Sequence, residues 1–293
     1  MPAADLLTAG EAFEDLIFFD LPRLPGPGEE IKTARFARTI GGGAVITAIA
    51  AARLGLRCRV VSGLSADASA LLARERIAVA DMRRRAERPA ISAALSTRSN
   101  RSFVTYNGVN DRLEPRLVAP IRQADARHVH FAFFPPRCSR WLPVVTSLAR
   151  RGITTSWDFG WNEPLLKDRA FYPLVATLDY VFLNEQEAVL YARVRHARAA
   201  FAFWKSHARV TIVKRGARGS RWIASDLEFE EPAPSVRVVD TTGAGDAFNG
   251  GFLAARLRRK SPRRSLLAGN RIGALSTRAP GGIDGLPKRR SGR

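Results

Sequence analysis

The chain has 293 residues, 46% of them apolar, which is enough to fill the core of one large α/β domain. No apolar run approaches a membrane span. The start of the chain carries Asp5 and no basic stretch, so it does not read as a secretory signal; Cys58 and Cys138 stand far apart with no metal spacing, so structural disulfides are not expected and a cytoplasmic location is. The net charge of +20 is carried mostly by scattered arginine; an Ala- and Arg-rich composition of the kind GC-rich genomes produce accounts for it without a polyanion partner, and neither nucleic acid nor membrane is expected as one.

In chain order, Asp5 to Gly10 reads as a buried strand ending at glycine. Apolar runs follow at Ile17–Phe19 and Ile31–Phe36, split by the turn-rich segment around Pro25-Gly26-Pro27-Gly28. Gly41-Gly42-Gly43 opens a small-residue helix, Ala44 to Leu54, stopped by Gly55. Arg59 to Gly63 is a strand, and a helix runs from Asp67 to about Glu75. Residues 90 to 106 alternate apolar and polar, the pattern of half-buried antiparallel strands. Short apolar strands are expected at His128–Phe134, Thr154–Asp158, Tyr180–Leu183 and Val210–Val213, with helices between them. Val236–Val239 reads as one more strand, followed by a turn and an amphipathic helix to Arg256. Strands alternating with helices predict a doubly wound, mainly parallel sheet flanked by helices. The early antiparallel strands predict a small β-sheet lid, from about 12–40 and 88–107, within a single domain spanning 1–293.

The sharpest motif is Asp240-Thr241-Thr242-Gly243-Ala244-Gly245-Asp246, continuing to Asn249 and Gly250. Small residues at the start of a helix let unpaired backbone N–H groups converge on an anion. A carboxylate in the first helical turn, Asp246, then stands beside that anion, where a substrate hydroxyl must lose its proton. P-loop and protein-kinase signatures are both missing from the chain.

This string resembles the C-terminal signature of the ribokinase-like, or phosphofructokinase-B, carbohydrate kinases. The resemblance implies that Gly243, Ala244 and Gly245 form an anion hole, that Asp246 is the catalytic base, and that Thr242 and Asn249 line the nucleotide and substrate sides. Gly41 and Gly42 match the family's di-glycine, where the lid hinges and substrate approaches the backbone. Thr47 follows Ile46, which stands where sugar kinases of the family usually carry a substrate-binding Asn. Asp15 matches the position where an Asp takes two substrate hydroxyls, a role that suits a carboxylate; Glu14 and Glu11 are its nearby competitors. Asn184 and Glu187 resemble an N-x-x-E motif near Mg²⁺ and the nucleotide phosphates, and they also read as the cap of an acidic helix start. Lys214, Gly216 and Gly219 resemble the turn along the nucleotide, and Asn270 and Gly281 sit where the family closes its adenine pocket.

The expected activity is therefore ATP-dependent phosphorylation of a small-molecule hydroxyl. A sugar is placed first as acceptor, a nucleoside second and a sugar phosphate third. ATP and Mg²⁺ are the implied cofactors, K⁺ is allowed, and relatives allow a homodimer through the lid. A reading of another class is a catalytically weak, nucleotide-responsive binding protein.

Overall fold

Runs such as Leu6–Ala9, whose one polar member Thr8 is also buried, and Val181–Leu183 show no polar alternation, so they suit strands covered on both faces. The computed structural model describes residues 2–97 and 101–288. Residues 98–100 of the expected lid, together with Met1 and residues 289–293, lie outside that description.

Among the described residues a nine-stranded sheet runs, in spatial order, Glu228–Glu231, Ser220–Ile223, Thr211–Lys214, Tyr180–Asn184, Thr154–Asp158, Ala126–Ala132, Ala4–Gly10, Cys58–Ser62 and Ala78–Asp81. All pairs are parallel except the two at the Glu228 edge, which form an antiparallel hairpin. Chain order reverses between the Ala4–Gly10 and Ala126–Ala132 strands, and the crevice beyond the strand ends at such a point is where open α/β sheets bind ligands. One face of the sheet packs Phe131, Trp157 and Phe182's neighbours Val181 and Leu183 against helices that bring Trp141, Tyr191 and Trp204. The opposite face packs Phe182 and Ile212 on Ile49, Phe248 and Phe252 from the helices Gly43–Arg53 and Ala244–Leu257. Those two helices meet face to face, because Gly250 leaves no room for a Cβ against the Thr47 carbonyl and Ala50.

The expected small sheet is present as four strands, Phe36–Gly41, Phe13–Leu21, Ile91–Thr97 and Arg101–Tyr106. Two of the sequence expectations need correction. The Ile31–Phe36 run is not a strand: pairing begins only at Phe36, opposite Phe18. Asp20 takes a left-handed φ of 56° and pairs with Arg35, and Thr33 donates to the Phe19 carbonyl, so the preceding residues are used in turning the chain. Val236–Val239 is not a strand either. Val238 and Val239 are exposed, and the segment touches the fold through the amides of Val239 and Asp240 on the Thr277 carbonyl. The closing edge hairpin has no signal in the residue pattern, because its charged strand Glu228–Glu231 lacks apolar alternation. No helix among the described residues is long and apolar enough to cross a membrane.

Candidate active site

The Gly243 turn shows why its residues are small. Gly243 caps the Ala244–Leu257 helix in a left-handed conformation, φ 69°, which glycine adopts freely. A Cβ on Gly243 would also lie 2.9 Å from the Gly282 Cα and 2.5 Å from Ile46 Cδ1. The amides of Gly245 and Asp246 have no acceptor among the described residues, so the helix begins with free donors. The buried Asp240 carboxylate holds the turn in place: Oδ1 accepts from the Thr242 amide and hydroxyl, and Oδ2 from the Gly281 amide.

Asp246 sits in the first helical turn with its carboxyl 3.0 Å from where a Cβ on Gly43 would be. This places the catalytic candidate directly against the glycine turn that precedes the other central helix. Burial raises the Asp246 carboxyl to about 7, with Asp158, Glu187 and Asp15 adding to the rise and Lys214 opposing it. Asp15 lies across the cleft on the Phe13–Leu21 strand. A Cβ on Gly41 would collide with Asp15 Oδ2, so glycine there lets that carboxyl lie against the backbone. Burial, then the charge of Asp240, raises Asp15 to about 7 as well.

Beneath the turn lies a part-buried cation. Lys214 Nζ donates to Asp158 Oδ2 at 2.5 Å, and Asn249 Nδ2 donates to the same oxygen at 2.7 Å. The ammonium is 3.0 Å from a Cβ position on Gly245, so a side chain there would crowd it. Burial alone would lower the lysine pKa, but Asp158, Glu187 and Asp246 together raise it. Lys214 is thus a fixed charge under the anion turn and not a solvated residue of a basic loop. Its neighbour Arg215 is spent on Glu185 and Glu230.

The other candidates divide. Asn184 and Glu187 form a reciprocal capping box, and burial with Asp158 nearby raises Glu187 to about 6. Gly42 has φ 98° and abuts the Glu11 carbonyl. Gly216 has φ 59° and open space around it, whereas Gly219, φ 91°, is pressed on the Glu231 carbonyl. Gly281, φ 69°, packs on Thr39 of the small sheet. Three candidates donate hydrogen bonds inside the protein, although the buried Asn249 Oδ1 has no partner among the described residues. The Thr47 hydroxyl donates to the Asp246 carbonyl, the Asn270 amide to the carbonyls of Glu231 and Pro232, and the Asn249 amide to Asp158. Sequence reasoning missed Asp158 and the linking role of Asp240. The available signal for Asp158 was a carboxylate at the C-terminal end of an expected parallel strand, where open α/β sheets bind ligands.

The pfkB family carbohydrate kinase model matches residues 3–289. The chain belongs to that family. It is therefore a phosphotransferase that uses a hydroxyl group as acceptor. Among characterised relatives, an ATP-dependent ribose-1-phosphate kinase of Halopiger xanaduensis is 27% identical over 278 residues, 92% of this chain and 91% of its own length. A fructokinase of Rhizobium leguminosarum is 26% identical over 265 residues, covering 85% of this chain and 79% of its own. Among solved structures, a probable sugar kinase of Rhizobium etli superposes with a TM-score of 0.81 at 21% identity, over 99% of this chain and 96% of the other, which supports the ribokinase-like fold.

Proposed function

We propose that this kinase transfers the terminal phosphoryl group of ATP to a hydroxyl of a sugar or nucleoside, with Asp246 as general base. The observation that carries this reading is the half-buried Asp246 carboxyl beside the free amides of the Gly243 turn, with Asp15 near enough for its charge to act on Asp246. A base with a pKa near 7 is about half ionised at neutral pH and takes a proton readily, the match that favours general-base catalysis. The acceptor oxygen forms its new bond to phosphorus as its proton passes to Asp246 and the bond to ADP breaks. The amides of the turn hold the oxygens of the transferring group, and Lys214 below them adds a positive charge that needs no rearrangement.

ATP would lie along Lys214, Gly216, Thr242 and Gly281, with the lid folding over the acceptor within one kinase domain. Among the described residues no three His, Cys, Asp or Glu side chains converge as a metal cage. That suits Mg²⁺ arriving with the nucleotide and keeping much of its water, with Glu187 and Asn184 facing that water. Mg²⁺ would draw off charge from the transferred group; none of the described residues singles out a K⁺ site. The test is ADP release over a panel of sugars, nucleosides and sugar phosphates. Nucleotide binding with no turnover on any of them would favour the weak binding-protein reading.

Asp15→Ala is expected to raise the acceptor KM by about tenfold or more while the KM for ATP stays within about threefold, since hydrogen bonds to a charged group contribute ~1.5–3 kcal/mol. Steady-state kinetics with each substrate varied in turn decides it; equal loss of both would assign Asp15 to folding. We also propose that two copies associate through the lid. The strand register puts Phe18, Phe36, Val104 and Tyr106 on one face, and Phe36, Val104 and Tyr106 are 56%, 67% and 54% exposed. Val104→Glu should then shift the protein from dimer to monomer in sedimentation velocity, and a wild type that stays monomeric at high concentration would remove the proposal.

A further inference from the structure

A second cavity, of about 320 Å³, opens where the strand order reverses, between the loop after Gly10 and the loop after Ala132. It adjoins the reaction centre. The Glu11 amide donates to the Ala132 carbonyl, and the Glu11 carbonyl abuts Gly42. Gly43 in turn sits between Ala132 and the Asp246 carboxyl.

The lining is unusual for a chain of charge +20, because among the described residues it includes no Lys, Arg or His. Phe133, Phe134 and Pro136 supply an apolar wall, and Glu11, Asn110 and Asp111 supply oxygen acceptors. Asn110 is 8% exposed; its Nδ2 donates to the Ala12 carbonyl, which fixes the amide, and its buried Oδ1 receives no donor. Leaving such an oxygen unpaired costs ~1–3 kcal/mol. The Glu11 carboxyl accepts no hydrogen bond from a side chain or amide among the described residues. Burial, then the neighbouring Asp111 charge, raises it to about 7. Glu114, at the back, is already satisfied by Trp141 Nε1 and Arg140.

Resting on the kinase reading above, we propose that this cavity is an acceptor subsite for a planar, amine-bearing ring attached to the phosphorylated sugar. A flat ring can pack on the apolar wall of Phe133, Phe134 and Pro136, and its amine N–H groups supply the donors that Glu11 and Asn110 Oδ1 lack. The same oxygens repel an anion, so a second phosphate on the acceptor is disfavoured there.

The test uses cytidine and uridine, which share the sugar and differ in an amine against a carbonyl on the ring. Calorimetric titration should show cytidine binding about tenfold or more tighter than uridine, with Glu11→Gln reducing that ratio below about threefold. Equal binding of the two nucleosides by the wild type overturns the proposal, and so does a cytidine preference that Glu11→Gln leaves unchanged. The wild-type comparison stands even if the variant does not fold. ADP release with D-ribose, D-fructose and cytidine is measured alongside. Its absence with all three would sink the kinase reading while leaving the binding ratio to judge the subsite.

Discussion

Asp246→Asn is expected to lower kcat by about a hundredfold or more while ATP and acceptor binding change only several-fold. Asn keeps the size of the side chain and much of its hydrogen bonding but cannot take the acceptor's proton, and removing a general base costs ~10²–10⁴ in rate. The anion site should survive, because its donors are the Gly245 and Asp246 backbone amides. The same variant should be more stable than the wild type. The Asp246 carboxyl has its pKa raised from 3.8 to about 7 by folding. Its contribution to stability is therefore fully present below pH 3.8 and is lost as pH rises through 7. Asn carries no such loss, so its advantage should be absent near pH 4 and reach a few kcal/mol by pH 8, at ~1.4 kcal/mol per pKa unit. Kinetics and thermal unfolding over pH 4–8 measure both arms. A variant with kcat within about threefold of wild type removes Asp246 from the chemistry; lost activity together with lost stability at pH 8 points to a structural role.

The parts of the site legible in the sequence are those where backbone geometry forces the residue. Gly243 is demanded by a left-handed cap and the close approach of Gly282, and Gly42 by its positive φ and the Glu11 carbonyl. Such positions leave a mark in residue type that a reader can find. Side-chain partnerships across the sheet leave none. Lys214 reads as a basic turn residue because its partner Asp158 is 56 positions away, on a strand two places over in the sheet. Ile46 reads as a vacancy in hydroxyl recognition. In the fold it is buried and packs against both Gly243 and Gly282, so its apolar character serves the packing of the Gly243 turn. The misplaced strands have the same origin. Apolar character marks Ile31–Phe36 and Val236–Val239, but strand formation needs a paired neighbour, which the left-handed turn at Asp20 denies the first and the Thr277 contact only briefly gives the second.

Lys214→Met should separate the structural and catalytic parts of this cluster. Met matches the length of the lysine stem but removes the ammonium that pairs with the buried Asp158. Breaking one side of a buried ion pair costs ~3–5 kcal/mol; the loss here should fall at the low end, because Asn249 Nδ2 still donates to Asp158. Urea unfolding measures it. Lys214 also opposes the rise in the Asp246 pKa, so its removal should push that carboxyl higher still. The acidic limb of kcat/KM against pH should move upward, leaving the base largely protonated at neutral pH. Adding Asp158→Asn removes the stranded carboxylate, so the double variant should regain most of the lost stability, as replacing both partners of a buried pair commonly does. It also removes the largest charge that raises Asp246, so the acidic limb should move back down. The positive charge beneath Gly245 is still missing, however, and the maximal rate should stay low. Recovery of rate together with stability would make Lys214 a packing residue only. Stability restored with the rate still depressed would assign the ammonium to the charge that develops on the transferring phosphoryl group.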